Sequence, residues 1–586
     1  MKLILREYLS SLREREELDA ILPDLLSELG YAVYSRPQRG TTQNGVDVAA
    51  ISPDNAQERK VCLFSIKRGD LTRQDWDGTP QALRSSLNEI LDAYIPTRIP
   101  TEHRGLRIVV CICLGGDIQE QVRANFEGFI KAHTTDTITF EEWNGDKLAS
   151  LLLEGVLRED LLPKPLRSHF QKAVALLDEP DVSYRHFSKL AEQLRTNAAM
   201  NARSRVRAAR QLYICLWILY VWGRDIDNIE APYLASELCI LNAWELLRPN
   251  IGIENADHLA LARVLDELIK LHLIIADQFI ARRIAPGAQA RDALAMAVNS
   301  RTSVDVNTKL FDIIGRIAMT GFWVIWLAEQ QQGVRTDAIA SSLGQFFEIG
   351  MSIIENNGAL RLPVSDDQTT DIALFGLFCL HGAPDGRRLT SWLTSMVERY
   401  DLSIRSRSRY PTSFSEYADL VAHPRHKSDE YFKEATAGST LVPFLASWAV
   451  GLGCLDLATR LATLRSDKLQ HCTMQLWTPG EDSEEHLYIN SDIHGRAICD
   501  LPILDEGKDL LETIADACTD ERGFQALSAA RTSMWPIILL ACRHWRLPVP
   551  PNFYIESLRT FFAQNNGAGR GDEPSQPADG LREAKE

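Results

Sequence analysis

Residues 44–67 read NGVDVAAISPDNAQERKVCLFSIK, and the fold turns on how this stretch divides. Val46–Ile51 and Val61–Lys67 are short apolar runs of strand length. The first opens on Asp47 just after Gly45-Val46, and the second closes on Ser65-Ile66-Lys67. Working upstream, Leu18, Ile21, Leu22, Leu25, Leu26 and Leu29 recur at helical spacing, predicting a helix over 4–29 with Pro23 as a kink or restart. Gly30 stops it. Tyr31–Ser35 then alternates like a strand, and the turn-rich stretch Arg36–Gly45 leads into Val46. Downstream, Thr72–Tyr94 reads as a helix broken near Gly78–Pro80. Leu106–Leu114 reads as a buried strand in which Cys111 and Cys113 share one face. Asp117–His133 reads as a helix, Thr137–Glu141 as a strand, and Asp146–Leu153 as the start of a further helix. The order α, β, β, β, α, β, α, β, α predicts an α/β domain, a mixed sheet flanked by helices, over 1–165.

Beyond about residue 165 strand signals almost vanish. Two proline-containing stretches, Leu162–Leu166 and Asp178–Val182, bound an expected junction at 166–182. A large all-α domain, a sensor or scaffold, is expected over 183–563. The Gly-, Pro- and charge-rich tail, 564–586, is expected to be disordered. No fixed-period repeat is visible. The apolar runs Leu212–Trp222, Ile317–Ala328, Leu441–Leu455 and Trp535–Cys542 are shorter than the roughly 20 residues of a spanning helix and read as core, so no membrane partner is expected. The tryptophans of this part read as core packing.

The net charge of −16 argues against a surface that coats nucleic acid everywhere, while leaving room for a local basic groove. The 11 cysteines are scattered, with no CxxC pair, a usage that fits reduced thiols and a cytoplasmic location. No secretory signal pattern opens the chain.

Asp47 and Lys67 bring the residue types of phosphodiester cleavage to two neighbouring strands. An aspartate at a strand end is a rigid carboxylate for Mg²⁺ or Mn²⁺. A lysine on the adjacent strand orients the attacking water or neutralises charge on the phosphate. Asp19, on the preceding helix, is a third acid able to complete a metal shell. Taken singly, each has a plain alternative: Asp19 a solvated helix residue, Asp47 a turn closer, Lys67 an edge-strand guard.

Together, a helix ending in Leu-Gly-Tyr, then Gly45-Val46-Asp47 and Ser65-Ile66-Lys67, resembles the PD-(D/E)XK restriction-endonuclease-like superfamily, especially Mrr-like nucleases. Those enzymes carry Phe-Glu where this chain has Leu18-Asp19, Gly-[Ile/Val]-Asp at Gly45–Asp47, and Glu-x-Lys or Gln-x-Lys at Ser65–Lys67. The segment Glu141–Leu148 resembles the closing strand and helix of some defence-associated members. The resemblance covers about 150 of the 586 residues. It implies a metal-dependent deoxyribonuclease with Asp47, Lys67, Asp19 and Ser65 at the catalytic positions, and Asp47, Asp19 and Asp70 as metal ligands. It also implies an effector of bacterial anti-phage defence or restriction.

Ser65 departs from the pattern, because a hydroxyl is a poor Mg²⁺ ligand beside a carboxylate. Either a nearby acid (Asp70, Asp75 or Asp77) substitutes, or the domain is a degenerate nuclease fold that binds DNA or docks a subunit. No phosphate-binding P-loop occurs, so a partner subunit, an ATPase or sensor, is expected to supply any nucleotide energy; a homo-oligomer is compatible with the sequence. Arg203, Arg205, Arg207 and Arg210 cluster on one helix after the junction, where they either touch phosphate or form a solvated face. His423 and His426, three residues apart around Pro424, lack the spacing of a helical zinc pair.

Overall fold

The computed structural model describes residues 5–6, 9, 18–36, 44–53, 59–155, 164–198, 201–253, 255–330, 337–382, 386–499, 501–503 and 507–568. Residues 10–17 of the expected first helix, 37–43 of the expected turn and 569–586 of the expected tail lie outside them. The chain divides into two compact units, Met1–Ile275 and Ala276–Glu586.

The first unit is built on one five-stranded sheet in the order β1 (Ala32–Ser35), β2 (Val48–Ile51), β3 (Lys60–Lys67), β4 (Arg107–Leu114), β5 (Ile138–Trp143). The first three strands are antiparallel neighbours, and β3, β4 and β5 run parallel. Parallel neighbours need crossovers. These are supplied by α2 (Arg73–Asp77) and α3 (Leu83–Glu89) between β3 and β4, and by α4 (Glu120–His133) between β4 and β5. Before the sheet stands α1 (Asp19–Glu28), which Gly30 ends at φ +87°, a left-handed conformation open to glycine. After it comes α5 (Gly145–Gly155).

Alternation along the strands sorts the two faces. Val61 and Leu63 of β3 join Ile108, Val110 and Ile112 of β4 against Trp76, Leu83, Leu87, Phe126 and Phe129 from the crossover helices. Thr72 fixes where α2 starts: its hydroxyl oxygen accepts the Asp75 N–H while the Asp75 carboxylate accepts the Thr72 N–H. The other face carries Phe64, whose ring meets Trp143 and Tyr31 edge-on at 5.1 and 6.4 Å. Cys111 and Cys113 lie buried there, sharing a face as the alternation of β4 requires.

The expected junction at 166–182 is helical rather than a linker. It is occupied by α6 (Lys164–Ala175) and the start of α7 (Pro180–Ala198). These form a hairpin in which the Ser183 hydroxyl donates to the Ala173 carbonyl at 2.6 Å. Compactness also places the division about a hundred residues later than the change in secondary structure. The helices α8 (Ala202–Asp225), α9 (Glu230–Leu247) and most of α10 (Ala256–Gln278) belong to the same unit as the sheet. The arginine face of α8 explains part of this. Arg210 donates to Glu28 of α1 at 2.9 Å, Arg207 stands 3.6 Å from the same carboxylate, and Arg205 donates to Asn250 at 2.7 Å. Three of the four arginines are thus turned inward on the protein itself.

The second unit is largely helical. Its longest helix, α11 (Ser303–Gln330), is long and apolar enough to cross a membrane, yet 83% of its most apolar window is buried inside the protein. The expected run at Ile317–Ala328 was only part of the C-terminal half of this 28-residue helix. Packed in the same unit are α12 (Asp337–Asn356), α13 (Thr369–Gly382) and α14 (Pro536–Trp545). Two short two-stranded sheets, Gly438–Ser439 with Thr473–Met474 and Leu476–Thr478 with Arg496–Ile498, interrupt the helices. Strands of two or three residues are too short to leave an alternation in sequence. The last helix, Ile555–Ala568, takes up the first residues of the expected tail.

Candidate functional site

Asp47 marks the place where the β2–β3 ladder ends. The Ser52 N–H donates to Lys60, and the strand register pairs Val48 with Phe64. Continued by period two, the next paired groups are Val46 and Ile66. Instead the Asp47 N–H takes the Phe64 carbonyl at 2.9 Å, and the Ile66 N–H donates to Asp47 Oδ2 at 2.8 Å. The carboxylate therefore stands in for a main-chain acceptor at the end of the strand. Ser65, next along β3, is 1% exposed. Lys67 is half-buried and leaves β3 on the face of Val61, Leu63 and Ser65, by alternation.

The carboxyl ends of parallel strands are where open α/β sheets hold ligands. Here that edge is occupied by the chain's own loops. Gly116 N–H donates to the Gly69 carbonyl at 2.8 Å, Leu71 N–H to Asp117 at 2.9 Å, and Gly145 N–H to Gly116 at 2.9 Å. Asp70 accepts the Asp117 N–H at 2.9 Å. A Cβ on Gly116 would fall 2.2 Å from that Asp70 carboxylate, and one on Gly145 would fall 2.6 Å from the Gly115 carbonyl. Arg6 closes the edge by donating to Asp117 at 2.5 Å, with Asp146 at 3.5 Å.

The segment Glu141–Leu148, singled out in the sequence, forms a polar group on the Phe64 face that the sequence did not show. Glu141 accepts from Trp143 Nε1 and from Lys147 Nζ, both at 3.0 Å, and Lys147 sits over the Trp143 ring. Burial raises the Glu141 carboxyl, and these bonds together with the Lys147 charge outweigh it, leaving it below its ordinary range. Burial, with the charge of Asp47 added, pushes the Cys113 thiol up. The negative charge at the end of β2 is thus felt on the second strand over.

The remaining predicted residues are dispersed. Asp19 and Asp24 of α1 contribute, after burial and Glu267, to raising the Tyr213 phenol of α8, so this side of α1 faces α8. Asp70 is engaged with the Asp117 main chain, and Asp75 caps α2. Asp77 is exposed at the end of that helix. Among the described residues no three His, Cys, Asp or Glu side chains group as a metal site. Asp47 suits a divalent ion as a single carboxylate ligand. Among the described residues Asp70 and Asp19 do not form such a group with it. Nothing in this geometry was matched elsewhere: no family model, curated protein or solved structure matches the chain.

Proposed function

We propose that the first unit is a nuclease-like domain acting on DNA phosphodiesters, in an effector of bacterial anti-phage defence or restriction. The observation that carries this reading is the position of Asp47. Its carboxylate is held at the end of β2, bonded to the Ile66 amide, one residue before Lys67. A mixed sheet flanked by helices, as this unit has, is compatible with that reading. In this reading Asp47 holds Mg²⁺ or Mn²⁺, which would neutralise charge on the scissile phosphate. The Ile66 N–H fixes the carboxylate's orientation, and Lys67 places a cation toward the phosphate or its attacking water. A partner subunit that senses a trigger fits the absence of a P-loop from the sequence.

A second reading has its own support. Ser65 is buried where a metal-binding acid is expected, and one Asp47 oxygen is already committed to a backbone amide. Both suit a degenerate nuclease fold that docks DNA or a subunit without cutting. One experiment separates the two. Purified protein is incubated with plasmid with and without Mg²⁺ or Mn²⁺, beside Asp47→Asn and Lys67→Ala, alone and with the products of neighbouring genes. Asparagine keeps an oxygen for Ile66 and removes only the charge. Metal-dependent cleavage lost in both variants supports the enzyme, and binding without cleavage under every condition supports the scaffold.

A further inference from the structure

The α6–α7 hairpin carries an uncompensated row of cations. The hairpin closes where Glu179 N–H donates to Leu176, and the Ser183–Ala173 bond sets its antiparallel alignment. Continued along the helices, this alignment brings His169 opposite His186, and their Nδ1 atoms lie 3.0 Å apart. Lys172 stands one turn from His169 toward the closed end. Lys189 stands one turn from His186 toward the open end. At 1.5 Å per residue, the two lysines are staggered by about 9 Å along the seam, with the imidazoles between them. Arg185 flanks the pair. All three cations are exposed, and among the described residues none of their side chains has an ion pair or a hydrogen bond. After burial, the charges that lower the two imidazoles are these cations, with His169 itself acting on His186. The acids of the turn, Asp178, Glu179 and Asp181, sit at the closed end, and Glu192 lies a turn beyond Lys189.

Two imidazoles at this separation would suit a transition metal in neutral surroundings. Three nearby cations repel one and favour a polyanion instead. A nucleic-acid strand carries a phosphate at each 3.4 Å of rise, a linear charge array that a row of this length can follow. In a chain of net charge −16, a local positive stripe of this kind is also what separates specific placement from general adhesion.

We propose that the seam between Lys164–Ala175 and Pro180–Ala198 is a docking surface for the phosphodiester backbone of DNA, gripped by Lys172, Lys189 and Arg185 around the His169–His186 pair. The choice of DNA rests on the function proposed above, while the demand for a linear polyanion comes from the seam itself. The contacts position the duplex and carry no sequence information.

The test is fluorescence anisotropy of the full chain with a labelled duplex in EDTA, where cleavage plays no part, across 50–200 mM salt. The variants are Lys172→Glu with Lys189→Glu, and, as a control of equal charge change, Lys433→Glu with Lys468→Glu from the second unit. The logarithm of the wild-type binding constant is expected to fall linearly with log salt. The seam variant should lower that slope by about 2, one per phosphate contact, and the control should leave it unchanged. An unchanged slope in the seam variant, or an equal fall in the control, overturns the seam. If the wild type does not bind at all, the DNA reading falls with it. Metal-dependent plasmid cleavage alongside an unaffected seam variant overturns the seam alone.

Discussion

Replacing Asp47 with alanine tests whether its carboxylate is structural, chemical or both. The Ile66 N–H gives its hydrogen bond to Asp47 Oδ2 at 2.8 Å, on a residue that is itself fully buried. Alanine removes the acceptor and leaves that amide unsatisfied at the end of a central strand. An orphaned buried donor costs about 1–3 kcal/mol. With 1.4 kcal/mol per factor of ten, opening of the Ile66 amide becomes about 5- to 150-fold more frequent. Native-state hydrogen exchange read at that amide should accelerate by this factor in Asp47→Ala. In Asp47→Asn it should change far less, since the amide oxygen can accept in the same place. Amides in the middle of β4 should stay protected in both variants, because the loss is local to the strand end. Equal protection of Ile66 in wild type and Asp47→Ala would refute the claim that this side chain replaces a ladder acceptor. The comparison also guards the nuclease test, since activity lost in Asp47→Asn with Ile66 still protected is a loss of charge and not of fold.

Three further expectations concern stability. Asp312 is the shared partner of two buried arginines, Arg543 at 2.5 Å and Arg316 at 2.7 Å. Removing one member of such a network costs about 3–5 kcal/mol, so Asp312→Ala should lower the melting transition of the second unit on the order of 5–10 °C, and an unshifted calorimetric peak would contradict it. Burial raises the Asp312 carboxyl, but Arg316, Arg543, Lys309 and Arg546 outweigh this and hold it well below the usual range. Its contribution is therefore present above the ordinary carboxylate range and lost as pH falls toward its folded value. Burial pushes His423 down to about 4, with the Tyr410 main-chain bond opposing and Arg409 adding to the fall. The unfolded state then binds the extra proton between about pH 4 and 6.5, so stability should rise with pH across that window and be lost as pH falls through it, and His423→Gln should flatten the slope. Gly116→Ala places a Cβ 2.2 Å from the Asp70 carboxylate and should break the tie between the β3 and β4 ends, seen as faster exchange at the Asp117 amide; wild-type protection there would rule out the clash.

The sheet was legible because its strands are buried on both faces or alternate cleanly. Val61–Lys67 and Leu106–Leu114 read as strands from composition alone, and both are strands within a residue or two. Gly30 announced the end of α1 for a local reason, its left-handed φ. The site was less legible. Ser65 and Lys67 lie at the end of β3, but β2 starts only at Val48, so Val46 and Asp47 of the expected strand precede it, and Asp47, in a bend, uses its side chain on the backbone. Asp70 and Asp75 looked like spare acids because a sequence does not show which carboxylates are already spent on main-chain amides or helix caps. The Glu141–Trp143–Lys147 group is visible only once β5 and α5 are packed.

Local patterning settles the kind and order of the elements among the described residues up to 155, since period and turn chemistry act over a few neighbours. Tertiary structure alone decided which charges meet. Arg210 reaches Glu28 across 182 positions and Arg543 reaches Asp312 across 231. The reason is physical: helix and strand preferences are written locally, while the desolvation of a charge depends on whatever the rest of the chain brings beside it.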